Sequence, residues 1–312
     1  MLNLIKLLSS NSNLLGGKTL QKDWISGFID GEGCFNISIT KHPGVKVGYN
    51  VQLKMHVTQH INSVNVLYAM KEFFKCGSMV VHNKLADRMR YQITAIAEIQ
   101  NVLIPFLEEH PLLTSKFLNY LDFKKAVDLV SNKKHLTLEG IEQLRILAKG
   151  MNTGRTFDQK WIFCQENNTK GVITPGWFVG FVDGEGCFQF HINETKNIFK
   201  PYLQLSQNTH DLLVLKMIQK YLGCGVLVPR LEEYTLEKAK TVSSISQYRV
   251  YRESDLINTI IPLFDENPLL TTKAKEFSDW KTLITLKRAG AHKTELGRNQ
   301  MFSIKSGKKG VS

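Results

Sequence analysis

Two short acidic segments are the residues of this sequence best suited to chemistry. Asp30-Gly-Glu-Gly33 recurs as Asp183-Gly-Glu-Gly186, and the surrounding segments 24–39 and 177–192 are identical at ten of sixteen positions. Each motif is predicted to end a helix, where a carboxylate opposes the negative end of the helix dipole at a cost of about 0.3–1 kcal/mol. Acids kept there in duplicate indicate a bound cation, and oxygen ligands without neighbouring Cys or His favour Mg²⁺. Solvated loop carboxylates are the alternative.

The duplication extends well beyond the acidic motif. Residues 104–116 match 261–273 at eight of thirteen positions, and 73–77 match 221–225. Such a repeat predicts two copies of one structural unit related by a pseudo-twofold axis. The expected regions are an N-terminal arm (1–19), a first half (20–130), a linker with a helix (131–173), a second half (174–287) and a basic C-terminal tail (288–312). We expect the tail to bind phosphates, with a solvated, partly disordered end as the alternative.

Each half has the pattern helix, strand, strand, helix, strand, strand, helix. The second motif helix is predicted to begin at Thr174-Pro175, a helix cap followed by a proline in the first turn. The strands alternate apolar and polar residues, which is typical of a sheet with one buried face.

The outward positions of these strands carry amides, hydroxyls and cations with almost no acids. Side chains of these types bind base edges and phosphates, although most polar sheet faces simply meet water. The positions predicted to contact nucleic acid are Asn36, Ser38, Thr40, Asn50, Gln52, Lys54, His56, Arg88, Arg90, Gln92, Gln189, His191, Asn193, Tyr202, Gln204, Gln247, Arg249 and Tyr251.

Charge and composition narrow the classes of partner. The net charge of +12 favours a polyanion, with nucleic acid before an anionic membrane surface. No apolar run is long enough to cross a bilayer, so we expect no membrane partner. Five cysteines without a CxxC spacing predict free thiols in a reducing compartment.

Two glycines recur one turn into the motif helices. Gly27 and Gly180 are predicted to form a helix–helix interface, because small contact residues let two helices cross closely. The alternative is a helix defect that costs about 1 kcal/mol.

The frames 25–33 (Ile-Ser-Gly-Phe-Ile-Asp-Gly-Glu-Gly) and 178–186 (Phe-Val-Gly-Phe-Val-Asp-Gly-Glu-Gly) resemble the motif that names the LAGLIDADG homing endonucleases. Two copies in one chain resemble the monomeric, double-motif form encoded in fungal organellar introns. The resemblance covers roughly residues 20–290. It implies an α+β fold of two pseudo-twofold related αββαββα halves, each with an antiparallel four-stranded sheet, that form a DNA-binding saddle. It also implies a mitochondrial location, although no clear transit peptide is present.

The resemblance assigns roles to residues that match the family motif. Metal ligation and water activation fall to Glu32 and Glu185, helped by the carbonyls of Gly31 and Gly184, while Asp30 and Asp183 become helix-end structural residues. Two further catalytic pairs are implied. Lys116 and Lys273 resemble pocket lysines that stabilise developing charge, and Gln59 and Gln207 resemble residues that order water. A surface side chain is the alternative for each of these four.

The implied function is site-specific cleavage of both strands of a long, asymmetric DNA target, as in intron homing. The resemblance implies two or three divalent ions, Mg²⁺ with Mn²⁺ or Ca²⁺ as substitutes, and short 3′ overhangs. The strongest alternative is an RNA maturase that assists group I intron splicing, with intron RNA as partner. A catalytically silent DNA-binding module is the other, and the intact Glu32 and Glu185 argue against it.

Overall fold

The computed structural model describes residues 15, 19–83, 85–167, 171–193, 198–230, 235–241 and 243–307. Backbone contacts divide the chain into two compact units, with the boundary between Phe181 and Val182. Each unit contains one four-stranded antiparallel sheet with helices, so the predicted α+β fold is confirmed. The saddle arrangement of the two sheets stays a prediction.

The first unit follows the predicted order and then adds further helices. Its main elements are α1 (Lys22–Glu32), β1 (Gly33–Lys41), β2 (Tyr49–His60), α2 (Val64–Phe74), β3 (Ser78–Asn83), β4 (Arg88–Ile93), α3 (Ile104–Glu109), α4 (Lys116–Ser131), α5 (Leu138–Gly150) and α6 (Phe157–Asn167). The strand order is β1-β2-β4-β3. Apolar side chains of β1, β2 and β4 alternate into the core, where Phe35, Met55 and Tyr91 are fully buried.

The second set of elements repeats the first. It comprises α7 (Pro175–Glu185), β5 (Gly186–Asn193), β6 (Ile198–Asn208), α8 (Leu212–Leu222), β7 (Val226–Val228), α9 (Leu236–Thr241), β8 (Ile245–Val250), α10 (Ile261–Glu266), α11 (Lys273–Arg288) and α12 (Glu295–Gly307). The strand order β5-β6-β8-β7 reproduces that of the first sheet. As predicted, α7 begins at Pro175, and the Thr174 hydroxyl accepts a hydrogen bond from the Trp177 N–H at 3.1 Å.

The linker and the tail are more ordered than the sequence suggested. The expected helix ends at Gly150, and the Gly/Asn/Thr-rich stretch after it leads into α6, where Trp161 and Cys164 are buried. The described part of the predicted tail forms α12, in which Met301 is fully buried. Residues 308–312, with Lys308 and Lys309, and most of the predicted N-terminal arm lie outside the described residues.

Helices α5 and α12 are repeat-equivalent. Each begins after a short 3-10 turn, with a threonine hydroxyl that accepts the N–H of a glycine three residues later, Thr137 with Gly140 and Thr294 with Gly297. A Cβ on either glycine would lie about 2 Å from a carbonyl oxygen of the preceding turn. The repeated unit therefore includes two helices more than the predicted αββαββα, α3 with its counterpart α10 and α5 with its counterpart α12.

Two other properties concern the whole chain. All five cysteines are free thiols. Among the described helices, none combines the length and the apolar character that a membrane-spanning segment needs.

Candidate metal sites and nucleic-acid interface

The two acids of the first motif lie in opposite environments. Helix α1 ends at Glu32, and Gly33 starts β1 while donating its N–H to the Ile29 carbonyl. Asp30 is only 3% exposed, whereas Glu32 is partly exposed at the helix end. The second motif repeats this contrast between Asp183, 2% exposed, and Glu185. Only the glutamates can therefore present a carboxylate to a ligand from solvent.

The buried Asp30 fixes the loop before α4. Its Oδ2 accepts the N–H of Leu113 at 2.6 Å, and its Oδ1 accepts the N–H and the hydroxyl of Thr114 at 3.1 and 2.6 Å. Burial raises the pKa of this carboxyl, and the hydrogen bonds from Thr114 and Leu113 oppose that rise. Such a hydrogen-bonded carboxyl is typical of a structural residue.

Asp183 fixes the corresponding loop before α11. Its carboxylate accepts the N–H of Leu270 at 2.9 Å and both the N–H and the hydroxyl of Thr271 at 3.0 and 2.6 Å. The structure places Asp30 and Asp183 as the resemblance implied, at helix ends in structural roles.

The two lysines point back at the motif helices. The Lys116 Nζ donates to the carbonyls of Ile29 at 3.0 Å and Gly31 at 2.9 Å, and the Lys273 Nζ donates to the Gly184 carbonyl at 3.0 Å. A cation at a helix C-terminus is favourable, because it meets the negative end of the dipole. Each lysine therefore places its charge against the residue directly before the candidate metal-binding glutamate.

The donor set at each helix end suits a hard divalent cation. The candidate ligands, Glu32 with Gly31 and Glu185 with Gly184, supply only carboxylate and carbonyl oxygens. A carbonyl oxygen has two lone pairs, so its bond to lysine does not exhaust it as a ligand. Within the described ranges no three His, Cys, Asp or Glu side chains cluster as a metal-binding group. Each described helix end therefore offers few protein ligands, an arrangement that leaves positions on a divalent ion for water or a phosphate oxygen.

The two glutamines lie near the same end of the sheets. Val57 pairs with Gly33 and Leu205 pairs with Gly186, so Gln59 and Gln207 each lie two residues beyond that pair. Both are half-buried at the edge where the motif helix enters the sheet. This register places them at the same end of the sheet as the glutamates.

The glycines of the motif helices lie at a close helix crossing within the first compact unit. A Cβ on Gly27 would lie 2.0 Å from the Trp177 carbonyl oxygen, and a Cβ on Gly180 would lie 2.1 Å from the Trp24 carbonyl oxygen. Only a residue without a side chain fits at either position.

The first sheet brings its predicted contact residues onto one polar face. Cross-strand pairs join Asn36 with Lys54, Ser38 with Gln52, Thr40 with Asn50, His56 with Gln92, and His60 with Arg88. Arg90 pairs with Thr58, and its Nε donates to the Thr58 hydroxyl at 3.1 Å. Thr58 is not among the residues predicted from the sequence to contact nucleic acid, although the alternation of β2 places it on the polar face.

The second sheet has the same kind of face. Its cross-strand pairs are Gln189 with Tyr202, His191 with Lys200, Asn193 with Ile198, Gln204 with Arg249, and Ser206 with Gln247. The Arg249 guanidinium donates to Gln204 at 2.8 Å and to Gln247 at 2.5 Å. Tyr251 follows the end of β8 and is exposed. Lys200 and Ser206 are not among the residues predicted to contact nucleic acid, although the alternation of β6 places both on the polar face.

His56 is the most perturbed group on the first sheet's polar face. Partial burial, followed by the charges of Arg90 and Lys54, lowers the pKa of its imidazole to about 4. Its Nδ1 is buried and has no hydrogen-bond partner among the described residues. The ring is therefore neutral at physiological pH.

The chain is similar to known endonucleases over nearly all of its length. A family model described as LAGLIDADG endonuclease matches residues 25–127 and 178–284. "Probable intron-encoded endonuclease 3" of Neurospora crassa is 30% identical over 89% of this chain and 52% of its own length. "Probable intron-encoded endonuclease 2" of the same fungus is 27% identical over 92% of this chain and 65% of its own length. The chain thus spans about half to two-thirds of these relatives.

Solved structures of similar proteins match both halves of the chain. I-SmaMI bound to uncleaved DNA target in the presence of calcium ions matches with a TM-score of 0.79 and 28% identity, over 92% of this chain and 98% of that one. The I-LtrWI homing endonuclease bound to target DNA matches with a TM-score of 0.77 and 26% identity, over 91% of this chain and 96% of that one.

Proposed function

The chain belongs to the LAGLIDADG endonuclease family, and we propose that it is a monomeric, site-specific endonuclease that cleaves both strands of a long DNA target. The main observation in support is the duplicated helix end. At each copy, a partly exposed glutamate follows a glycine whose carbonyl accepts a hydrogen bond from a lysine. The similar I-SmaMI and I-LtrWI structures contain DNA targets, which supports duplex DNA as the partner.

The proposed reaction is hydrolysis of one phosphodiester in each strand. The oxygen of water bonds to phosphorus, and the bond from phosphorus to the 3′ oxygen breaks. One proton of the water ends on the 3′ hydroxyl, and the other ends on the new 5′ phosphate, which exchanges it with the solvent. A divalent ion held by Glu32 with Gly31, or by Glu185 with Gly184, would lower the pKa of bound water and neutralise phosphate charge. We infer Mg²⁺ in this role, with short 3′ overhangs as the product.

The remaining groups of each half have supporting roles. The Lys116 and Lys273 ammonium groups stabilise charge that develops on the phosphate and the leaving oxygen. Gln59 and Gln207 orient water near the scissile bond. The polar faces of the sheets bind the duplex, with base edges read in the major groove and phosphates fixing the position of the protein. The fungal, intron-encoded relatives support a mitochondrial intron as the origin of the chain.

Selection from a randomised duplex library tests the activity. Purified protein with Mg²⁺ should cleave a small set of related sequences in both strands, and sequencing the product ends gives the site and the overhang. A library that stays intact, or is degraded without sequence preference, would contradict site-specific cleavage.

Substitution of the glutamates tests the catalytic assignment. Glu32→Gln and Glu185→Gln should each reduce double-strand cleavage at least about a hundredfold, because the neutral amide is a poor metal ligand, while the Kd for duplex measured in Ca²⁺ stays the same. The matched control is Glu139→Gln on the exposed surface of α5, which should cleave normally. Full activity in Glu32→Gln would falsify the metal assignment.

A further inference from the structure

Asp30 receives a hydrogen bond from the second motif segment as well as from its own half. The indole N–H of Trp177 donates to the Asp30 Oδ2 at 3.0 Å, beside the 2.6 Å bond from the Leu113 N–H. Trp177 is 3% exposed and belongs to the first compact unit. The carboxylate therefore has four donors, two on each oxygen.

The same carboxylate is connected to Lys116 through a short series of hydrogen bonds. The Thr114 hydroxyl that donates to Asp30 also accepts the backbone N–H of Lys116 at 3.2 Å. The Lys116 side chain returns to α1 and donates to the Gly31 carbonyl at 2.9 Å. Trp177, Asp30, Thr114 and Lys116 thus form one continuous network that ends next to Glu32.

We propose that Trp177 is a positioning residue for the first catalytic centre, acting through Asp30 on Lys116. The inference rests on the proposed endonuclease activity, since it assigns Trp177 to the hydrolysis of one strand. Trp177 begins the second motif by sequence, yet it serves the centre that contains Glu32. Its role differs from filling the core, which any large apolar ring at this position could do.

The physical basis is the burial of the Asp30 carboxylate. A buried carboxylate oxygen that loses one of two donors shifts toward the remaining one or admits water. The Leu113–Thr114 loop follows that shift, because three of the four donors belong to it. Lys116 is the first residue of α4 and lies two positions after Thr114, so its ammonium moves relative to Gly31. Displacement of about 1 Å at a catalytic group can cost up to a hundredfold in rate.

The test is Trp177→Phe, which keeps an aromatic ring and removes the N–H. Each strand of the selected duplex carries its own end label, and the single-turnover cleavage rate of each strand is measured in Mg²⁺. Lys116→Ala and Lys273→Ala first identify which strand each half cuts. We expect Trp177→Phe to slow the strand that Lys116→Ala slows by about tenfold or more, with the other strand within about twofold of the parent protein. The Kd for duplex in Ca²⁺ should not change.

The matched control is Trp161→Phe, a change at another buried tryptophan of the same compact unit, which stacks on Phe157. It should leave both strands at the parent rate. Equal slowing of both strands by Trp177→Phe, or slowing of the strand assigned to Lys273, would overturn the proposal. A parent protein that cuts nothing would instead refute the proposed function.

Asp30→Asn provides a second route if Trp177→Phe does not fold. Whichever way its amide is oriented, the NH₂ group faces two of the four donors, so the network breaks while the volume is kept. The same strand should slow. A folded Asp30→Asn protein with symmetric strand rates would also overturn the proposal.

Discussion

His56 shows how a single residue's environment fixes its charge on the surface proposed to bind DNA. Burial is the main cause of the lowered pKa of its imidazole, and the charges of Arg90, Lys54 and His82 add to the effect. A neutral imidazole offers one donor and one acceptor, which suits recognition of a base edge better than binding of a phosphate. We therefore expect His56 to contribute to sequence preference more than to overall affinity.

The lowered pKa of His56 predicts a dependence of stability on pH. The unfolded imidazole binds a proton near pH 6.5, whereas the folded one stays neutral down to about pH 4. The free energy of unfolding should therefore fall as the pH is lowered through this window, by roughly 1–2 kcal/mol after allowance for solvent screening. Urea unfolding of the parent protein and of His56→Gln from pH 7 to pH 4 checks this. Parallel curves for the two proteins would rule out the effect.

Part of the site could be predicted at the residue level, and part could not. The motif spacing and the family resemblance singled out Glu32 and Lys116, and the structure brings the Lys116 side chain to the Gly31 carbonyl, next to Glu32. Their catalytic roles stay predictions. The donors to Asp30 are distant in sequence. Leu113 and Thr114 lie 83 and 84 positions further along the chain, and Trp177 lies 147 positions further. No local pattern encodes such distant pairs, because they depend on how loops pack after folding.

The helix crossing is the element whose geometry leaves least room for change. Gly27→Ala would place a Cβ 2.0 Å from a backbone oxygen, so the two helices would have to separate. We expect a loss of about 2 kcal/mol or more in the free energy of unfolding, since overpacking outweighs the helix-propensity gain of about 1 kcal/mol. Gly150→Ala is the control, because its Cβ would meet only the Asp122 carboxylate at 3.6 Å. Equal stability of the two variants in chemical denaturation would show that the crossing can relax.

Helix α12 contributes a buried side chain to the core. Its Met301 is fully buried, as is Leu144 at the equivalent position of α5. Met301→Ala should destabilise the protein by about 2–5 kcal/mol, as should Leu144→Ala. Leu296→Ala, an exposed position on the same helix, is the control. An unaffected unfolding midpoint in Met301→Ala would mean that α12 is an appendage and not a part of the fold.

The strands were predictable because alternation of apolar and polar residues is a local signal, and β1, β2 and β4 have it. Helices α5 and α12 were harder to relate to each other, because few residues are identical between them. These are Thr137 and Thr294, Gly140 and Gly297, Gln143 and Gln300, and Gly150 and Gly307. The basic residues after 287 also favoured a solvated tail. The structure instead shows a helix whose Met301 is buried. Burial depends on tertiary packing, which the local sequence does not encode.

At the scale of the whole molecule, the net charge of +12 predicts binding that weakens steeply with salt. If six or more phosphates are contacted, the Kd for the selected duplex should rise by about a thousandfold or more between about 50 and 200 mM salt. Fluorescence anisotropy in Ca²⁺ measures this, and Glu32→Gln should show the same slope because it leaves the sheet faces intact. A Kd that barely responds to salt would contradict a phosphate-dominated interface.

The assignment of Trp177 and Gly180 to the first compact unit has a practical consequence for recombining halves of related proteins. A chimera joined in the connector before Thr174 would take from the other parent the residues that correspond to Trp177, whose indole bonds to Asp30, and Gly180, which meets Trp24. A junction after Phe181 would carry both native partners with the N-terminal parent. A junction before Thr174 therefore preserves the crossing only when the second parent has tryptophan and glycine at these positions, while a junction after Phe181 should retain the native helix crossing.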